Sequence, residues 1–125
     1  MKAIQDEIKR FNDARGWSGT EQIKDLLLNI NEEIGEFWNI IKWVDLKTQE
    51  ELIKKERAEV ENFIGDLLYL AIKISYLCNV DSEKAIKDVM AEYEQRFPVK
   101  AEKYHGNKLA GGIDLKKDSS VQSLS

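Results

Sequence analysis

The chain has 125 residues, which fits one domain that is large enough to bury a hydrophobic core. Its residues are 42% hydrophobic and 34% charged, and the net charge of −4 comes without any basic run, so the sequence disfavours binding to duplex nucleic acid. The one cysteine, Cys78, cannot form an internal disulfide, and no segment resembles a signal peptide or a membrane span. We therefore expect a soluble, cytoplasmic protein.

Apolar residues recur at helical spacing along most of the chain, and a single proline and seven glycines leave long stretches free to be helical. Four helices are predicted: residues 2–14, residues 21–45 capped by Thr20, residues 59–78, and a last helix from Asp81 or Ser82 to Phe97. Residues 47–58 are dense in charge, which is compatible with either a loop or a solvent-facing helical turn. No strand pattern is found.

The predicted fold is therefore all-α, a four-helix bundle over residues 1–104 followed by a mobile tail over residues 105–125. The apolar arcs of these helices are wider than four helices in one chain can cover. We expect a homodimer, or a dimer of dimers, to complete the bundle.

Three carboxylates interrupt the second predicted helix, at Glu32, Glu33 and Glu36. On a helical projection Glu33 falls inside the apolar arc, and Glu36 lies at its rim beside Asn29. A buried carboxylate needs a proton, a base or a metal as its partner. A divalent cation is therefore the first hypothesis, and phosphate chemistry is its usual consequence. The alternative is a solvated acidic cluster, which is the commoner role of glutamates on helices.

The third predicted helix carries a polar seam of its own, which consists of Glu59, Asn62, Asp66, Tyr69 and Lys73. Antiparallel packing of the second and third helices would place Asp66 opposite Glu33 and Glu36. Carboxylates that converge in this way can bind one or two Mg²⁺ ions, which hold phosphate oxygens and activate a water molecule. Glu32 or Glu36 could then orient that water or accept its proton.

Five elements in order resemble the all-α nucleotide pyrophosphohydrolases, the MazG-like and dCTP-pyrophosphatase group. Glu32-Glu33-Ile34-Gly35-Glu36 resembles the EExxE signature of that group. The other elements are Phe11–Trp17 (F-x-x-x-R-x-W), Glu36–Trp43 (a glutamate followed by an FQW-like helix end), Gly65–Leu70 (the aspartate segment) and Arg96–Val99 (R/K-Y-P-V). The resemblance covers about residues 4–104.

The resemblance implies hydrolysis of a nucleoside triphosphate between its α- and β-phosphates, with Mg²⁺ as cofactor and Mn²⁺ as a possible substitute. It implies that Glu33, Glu36 and Asp66 are metal ligands and that Glu32 orients water or serves a second metal. A pyrimidine deoxynucleotide is the expected substrate, and sanitation of the nucleotide pool the expected role. Lys24 lies where a basic residue could contact phosphate, although a solvated lysine fits that position equally well.

The chain departs from the family pattern at two positions. The family usually has a glutamate three residues before its aspartate, and here that residue is Phe63. Asn62 and Glu59 are the nearest oxygen donors, one and two turns before Asp66. Tyr93 stands where an asparagine is common. A binding module of the same fold that has weakened or lost catalysis is therefore the competing hypothesis.

Aromatic and basic residues complete the predicted site. Trp17 and Trp43 could stack on a nucleobase, whereas Trp38 is expected to fill the core or a subunit interface. Cys78 is expected to be a small buried residue. The predicted substrate-binding residues are Trp17, Lys24, Asn29, Trp43, Lys73 and Arg96.

Overall fold

The computed structural model describes residues 1–99 and the backbone of two short strands further on. Its α-helices are α1 (Lys2–Asp13), α2 (Ile23–Ile41), α3 (Leu46–Lys55), α4 (Arg57–Leu77) and α5 (Ser82–Arg96), with a 3₁₀ helix at Thr20–Gln22. The all-α prediction is confirmed. The charged stretch that was compatible with a loop or a helical turn forms α3, so the described residues contain five α-helices in place of four.

Two strands lie within the stretch that was predicted to be a mobile tail. Strand β1 (Lys108–Leu109) pairs antiparallel with β2 (Ile113–Asp114), in a register that places Leu109 opposite Ile113. The sequence pattern did not indicate these strands. The predictions for the rest of residues 105–125 lie outside the described residues.

The chain divides into two compact units, Met1–Ser82 and Glu83–Ser125. In the first unit α4 is the central helix, with α2 packed along it and α1 also in contact with it. The buried apolar side chains are Ile8 of α1, Leu26 of α2, and Leu70 and Ile72 of α4. The first unit therefore has its core along α4, and this helix positions the features described below.

The turn between α2 and α3 explains why α2 ends at Ile41 and not near residue 45. Lys42 is extended, with a ψ of 145°, and Trp43 has a φ of 69°, in the left-handed region that bulky residues rarely adopt. Asp45 then caps α3, because its side chain accepts a hydrogen bond of 2.8 Å from the backbone N–H of Thr48. The apolar pattern continues through this turn, and for that reason it does not reveal the break.

Buried polar side chains join α1 to α4 and to the segment that follows α4. Asn12 is fully buried, donates to the carbonyl of Ile8 at 2.8 Å and accepts the hydroxyl hydrogen of Tyr69 at 3.0 Å. The side chain of Gln5 donates to the carbonyl of Val80 at 3.0 Å and accepts from the N–H of Ser82 at 2.9 Å. These contacts fix α1 on α4, since each buried polar group would be costly without its partner.

A broad apolar surface remains exposed on the first unit. Leu27, Ile34 and Trp38 of α2 are 51%, 47% and 52% exposed, and Ile64 and Leu68 of α4 are 45% and 49% exposed. Among the described residues, no single helix has both the length and the apolar character needed to cross a membrane. The helices α4 and α5 meet that test only together, as a broken pair, and by length and composition alone.

Candidate functional site

A cleft lies between α2 and α4, and carboxylates and aromatic rings line it together. Its lining residues are Glu33, Glu36, Phe37 and Ile40 from α2, and Glu59, Asn62 and Phe63 from α4. On each helix every one of these residues has another three or four positions away, the spacing that places side chains on one face. Helix periodicity thus aims both sets of side chains into the same cleft.

The two helices run antiparallel along this cleft. Glu33 interacts with Asp66, and one turn further along α2 the ring of Phe37 stacks on Phe63, which is one turn earlier on α4. The condition under which Asp66 would face Glu33, antiparallel packing of these two helices, is therefore met in the structure.

Glu33 is the carboxylate whose charge the site disfavours. It is half-buried, and that burial raises the pKa of Glu33 above its ordinary value of 4.5. The negative charges of Asp66 and Glu36 raise the pKa further, and a hydrogen bond with the Asp66 carboxyl acts in the same direction. All of the charged neighbours that shift this group are acids. A proton or a cation would relieve the repulsion between them.

Asn62 lies one turn before Asp66 and holds it in place. Its side-chain N–H donates to Oδ2 of Asp66 at 3.1 Å. Asn29, which was predicted to bind substrate, donates to Oε1 of Glu32 at 3.5 Å on the same exposed side of α2. Glu32 itself is exposed and does not line the cleft. Of the two predicted catalytic carboxylates, only Glu36 lies within it.

Phe63 fills the position at which the family pattern has a glutamate. Its ring stacks on Phe37 with centroids 4.9 Å apart and an interplanar angle of 26°. An aromatic pair of this kind stabilises the contact between α2 and α4. One wall of the cleft is consequently apolar where the pattern has an oxygen donor. Phe37 and Ile40 were not predicted to line the cleft, although their spacing of four and seven residues from Glu33 was the available signal.

The donor set suits a hard cation by its chemistry. Carboxylate oxygens are the ligands that Mg²⁺ prefers, and Glu33, Glu36 and Asp66 supply them. Within residues 1–99, no three His, Cys, Asp or Glu side chains are close enough together to hold a metal ion as they stand. The metal-ligand roles of these residues, and those of Asn62 and Glu59, stay predictions.

The aromatic element before α2 forms a cluster outside the cleft. Trp17 packs edge-on against Phe11, with ring centroids 6.2 Å apart, and the Arg15 guanidinium lies 3.7 Å from the centre of the Phe11 ring. At the other end of α2, Trp43 is 87% exposed and contacts Trp38 edge-on at 6.2 Å. Neither Trp17 nor Trp43 lines the cleft, so their roles in base binding stay predictions.

The remaining predicted substrate-binding residues differ in their surroundings. Lys24 is exposed on the first turn of α2, and Lys73 of α4 is buried. Arg96 belongs to the second unit, where it pairs with Glu92 at 3.6 Å and lies over the ring of Phe97. Tyr93 is half-buried on the same helix, and the Cys78 thiol, predicted to be buried, is exposed.

A larger cavity of about 270 Å³ lies between α1 and the end of α4, away from the carboxylates. Its charged lining is already paired, because Lys2 contacts Asp6 at 3.2 Å and Lys9 contacts Asp13 at 2.7 Å. Ion pairs that satisfy themselves do not point to a ligand. The cleft between α2 and α4 is therefore the better candidate site, although it is the smaller space.

Comparison with known proteins finds relatives of one kind. The chain is 30% identical over 91 residues to dCTP pyrophosphatase 1 of Rattus norvegicus, and 30% and 29% identical over 94 residues to the proteins of that name from Mus musculus and Bos taurus. Each match covers 71% of this chain and 54% of the relative, so the chain spans about half the length of these relatives. No family model matches, and no solved structure matches significantly. Across the matched stretch the chain is similar to the dCTP pyrophosphatases, so the resemblance that its five sequence elements indicated is confirmed.

Proposed function

We propose that this protein is a Mg²⁺-dependent nucleoside triphosphate pyrophosphohydrolase, which cleaves its substrate to a monophosphate and pyrophosphate. The observation that carries this proposal is the group of acids at the α2–α4 cleft, where burial and the negative charges of Asp66 and Glu36 raise the pKa of Glu33. Relatives named dCTP pyrophosphatase support the same reaction. Acids that repel one another at the mouth of a cleft are arranged for a cation, and a cation held there can bind a polyphosphate.

In this proposal Glu33, Glu36 and Asp66 hold the ion, and Asn62 keeps Asp66 in position through their 3.1 Å hydrogen bond. Bound Mg²⁺ would supply charge neutralisation for the phosphate oxygens and a lower pKa for its water. Glu36, or Glu32 at the exposed edge, accepts a proton from the attacking water. The stacked rings of Phe37 and Phe63 exclude solvent from one wall, which strengthens the electrostatic interactions beside them.

We propose a pyrimidine deoxynucleotide as the substrate, in keeping with the name of the relatives. Trp17 and Trp43 are the aromatic residues available to stack on a base, since both are exposed. Lys24 and Asn29 are the proposed polar contacts of the first unit. We further propose that the protein works in the cytoplasm, in sanitation of the nucleotide pool.

A homodimer is proposed on the basis of the exposed apolar surface of the first unit. Leu27, Ile34 and Trp38 form a stripe on α2, and Ile64 and Leu68 form one on α4. Both stripes are offset by about a quarter to a third of a turn, in the same sense, from the stacked rings of Phe37 and Phe63 that join the two helices. Because the helices are antiparallel, the stripes meet on one side of the pair. A second copy of this chain would cover them and create a bundle of four helices.

The experiment that tests the dimer is sedimentation equilibrium of the wild type and of a variant that carries Ile34→Glu and Leu68→Glu. The wild type should sediment as a dimer or a dimer of dimers, and the variant as a folded monomer. A monomeric wild type would contradict the proposed dimer. If that monomer still releases pyrophosphate, the proposed hydrolase activity is unaffected.

The competing function is a binding module that has lost catalysis. The observation in its favour is the Phe37–Phe63 stack, which occupies a wall where the family pattern has a metal ligand. Such a module would bind nucleotides and release no pyrophosphate.

The two functions are separated by an assay of pyrophosphate release. The assay uses a panel of ribo- and deoxyribonucleoside triphosphates, with Mg²⁺ and with EDTA. Glu33→Gln and Asp66→Asn should abolish turnover, while Glu50→Gln, on the exposed surface of α3, should leave it unchanged. The absence of Mg²⁺-dependent turnover on every substrate would refute the hydrolase. Nucleotide binding that persists without turnover would establish the binding module.

A further inference from the structure

The stacked rings of Phe37 and Phe63 divide the carboxylate cleft along its length. On one side of them, one helical turn away, Glu33 interacts with Asp66. On the other side, Glu59 lies one turn before Phe63 on α4 and lines the same cleft. The ring centroids are 4.9 Å apart at an interplanar angle of 26°, so the rings fill the gap between the two helices at this level. The cleft therefore has acids at both ends and an apolar barrier between them.

The acids at the Glu33 end act on one another as a group. Burial raises the pKa of Glu33, and the negative charges of Asp66 and Glu36 raise it further. Glu32 also acts on Glu33, but it lies outside the cleft, where its Oε1 accepts a hydrogen bond from Asn29 at 3.5 Å. Within residues 1–99 these acids do not stand close enough to hold an ion, so rotation of their side chains must bring them onto it.

Glu59 is too far along α4 to bind the same ion as Asp66. It precedes Asp66 by seven residues, which is two helical turns and about 10 Å of rise. Mg²⁺ holds its oxygen ligands at about 2.0–2.1 Å, so two carboxylates on one ion approach to within about 4 Å of each other. Glu59 and Asp66 could therefore serve one centre only through a second ion, about 3.5–4 Å from the first, with an oxygen ligand between the two.

The level between Glu59 and Asp66 offers no such oxygen. Phe63 occupies it on α4 and Phe37 on α2, and both present aromatic rings. Asn62 is the polar neighbour, but it turns its amide N–H to Oδ2 of Asp66 at 3.1 Å, and an N–H donor is not a metal ligand. At this level, therefore, the described lining of the cleft has no side chain that can bridge an ion beside Asp66 to one beside Glu59.

We propose that this cleft binds a single divalent cation, held at its Glu33–Asp66 end, and that the Phe37–Phe63 stack keeps Glu59 out of the coordination of that ion. The inference rests on the proposed function, since it concerns the same ion, and it sets the number of ions that the cleft contributes to the reaction. The attacking water and the phosphate oxygens would then depend on one ion of the cleft, with no second ion there to assist it.

The test counts the ions that the full chain binds, with Mn²⁺ alone and no nucleotide. Electron paramagnetic resonance measures free Mn²⁺ during the titration, and the wild type should bind one ion per chain. Glu33→Gln and Asp66→Asn should weaken that binding by at least about tenfold, because even residues that only orient a ligand contribute about 10- to 100-fold. Glu59→Gln should change it by at most about twofold, because a charge about 10 Å away acts weakly through water at about 0.1 M salt. Glu50→Gln, on the exposed surface of α3, is the matched control and should bind as the wild type does.

Phe63→Glu supplies the missing oxygen and should join the two ends of the cleft. The number of ions should rise from one to two, and two Mn²⁺ ions about 3.5–4 Å apart should couple, which removes the resolved hyperfine lines of an isolated ion. Adding Glu59→Gln to this variant should return the number to one. Phe63→Leu, which removes the stack without adding an oxygen, should stay at one. Circular dichroism checks that each variant is folded, and the wild-type and Glu59→Gln titrations decide the question if Phe63→Glu is not.

The outcomes separate this inference from the hydrolase itself. Two ions per wild-type chain, or a tenfold loss of affinity in Glu59→Gln, would overturn the single-ion proposal and leave the hydrolase standing wherever pyrophosphate is released. A folded Phe63→Glu that still binds one ion would overturn the role given to the stack. No bound ion at millimolar Mn²⁺ would also overturn the proposal, while pyrophosphate release would still decide the hydrolase. One ion per chain without turnover of any triphosphate would refute only the hydrolase.

Discussion

Replacement of Phe63 by glutamate tests whether the aromatic wall of the cleft limits its affinity for a cation. Phe63 is half-buried and stacked on Phe37 at 4.9 Å. The stack contributes about 1 kcal/mol and the partial burial of the ring about another 1 kcal/mol. Phe63→Gln, which loses the ring without adding charge, should therefore lower the free energy of unfolding by about 2 kcal/mol. Phe63→Glu should lower it further in EDTA, because it adds a carboxylate beside Glu33, whose charge the site already disfavours.

In Mg²⁺ the order of stability of the two variants should be reversed, with Phe63→Glu more stable than Phe63→Gln. A cation that binds only the folded state stabilises it by about 2.7 kcal/mol when its concentration is 100 times the dissociation constant. The gain on adding Mg²⁺ should be larger for Phe63→Glu than for the wild type, and no larger for Phe63→Gln than for the wild type. Urea denaturation followed by circular dichroism, with Mg²⁺ and with EDTA, measures each gain. An equal gain in all three proteins would refute the assignment of this cleft as the cation site.

Three further predictions concern the free protein. Because the folded-state pKa of Glu33 is raised, the folded protein keeps a proton that the unfolded chain has released, so stability should fall as pH rises from about 4.5 through the raised pKa. Glu33→Gln should flatten that dependence in urea titrations without metal, and parallel profiles would contradict the reasoning. Asn12→Ala and Tyr69→Phe should each lower the free energy of unfolding by about 1–3 kcal/mol. In a double-mutant cycle the two changes should be coupled by at least about 0.5 kcal/mol, and strict additivity would show that their hydrogen bond contributes nothing. Gln5→Ala should lower the free energy of unfolding by about 1–2 kcal/mol. It should also speed amide exchange at Ser82, because the Ser82 N–H donates to the Gln5 side chain at 2.9 Å, and unchanged exchange there would argue against this contact.

Helical periodicity was sufficient to predict most of the fold. It placed Glu33 on the side of α2 that meets α4, and antiparallel packing then required Asp66 as its neighbour, which the structure shows. The end of α2 could not be found in this way. The break there comes from the backbone of Lys42 and Trp43, and apolar residues continue on both sides of it. Asp45 and Thr48 carried a cap signal that would have predicted the start of α3.

The candidate site was predictable only where residue type and spacing decide the contact. The acids of the cleft are of this kind, since i, i+3 and i+4 spacing determines which face they share. The burial of Lys73 is not, because it depends on the elements that pack against α4 and not on local spacing. The bond from Asn12 to Tyr69 likewise joins residues that are 57 positions apart, and no local pattern can reveal it.

The exposed indole at the end of α2 gives the protein an intrinsic optical probe. Trp43 is 87% exposed, whereas Trp17 and Trp38 are only 49% and 52% exposed. Collisional quenchers such as iodide should therefore reach Trp43 first, and its emission should report directly on whatever comes to cover that turn. Since Trp38 lies 6.2 Å from it, substitution of Trp43 should also change the near-ultraviolet signal of the pair. Occupancy of this end of the molecule can thus be followed without attaching any label.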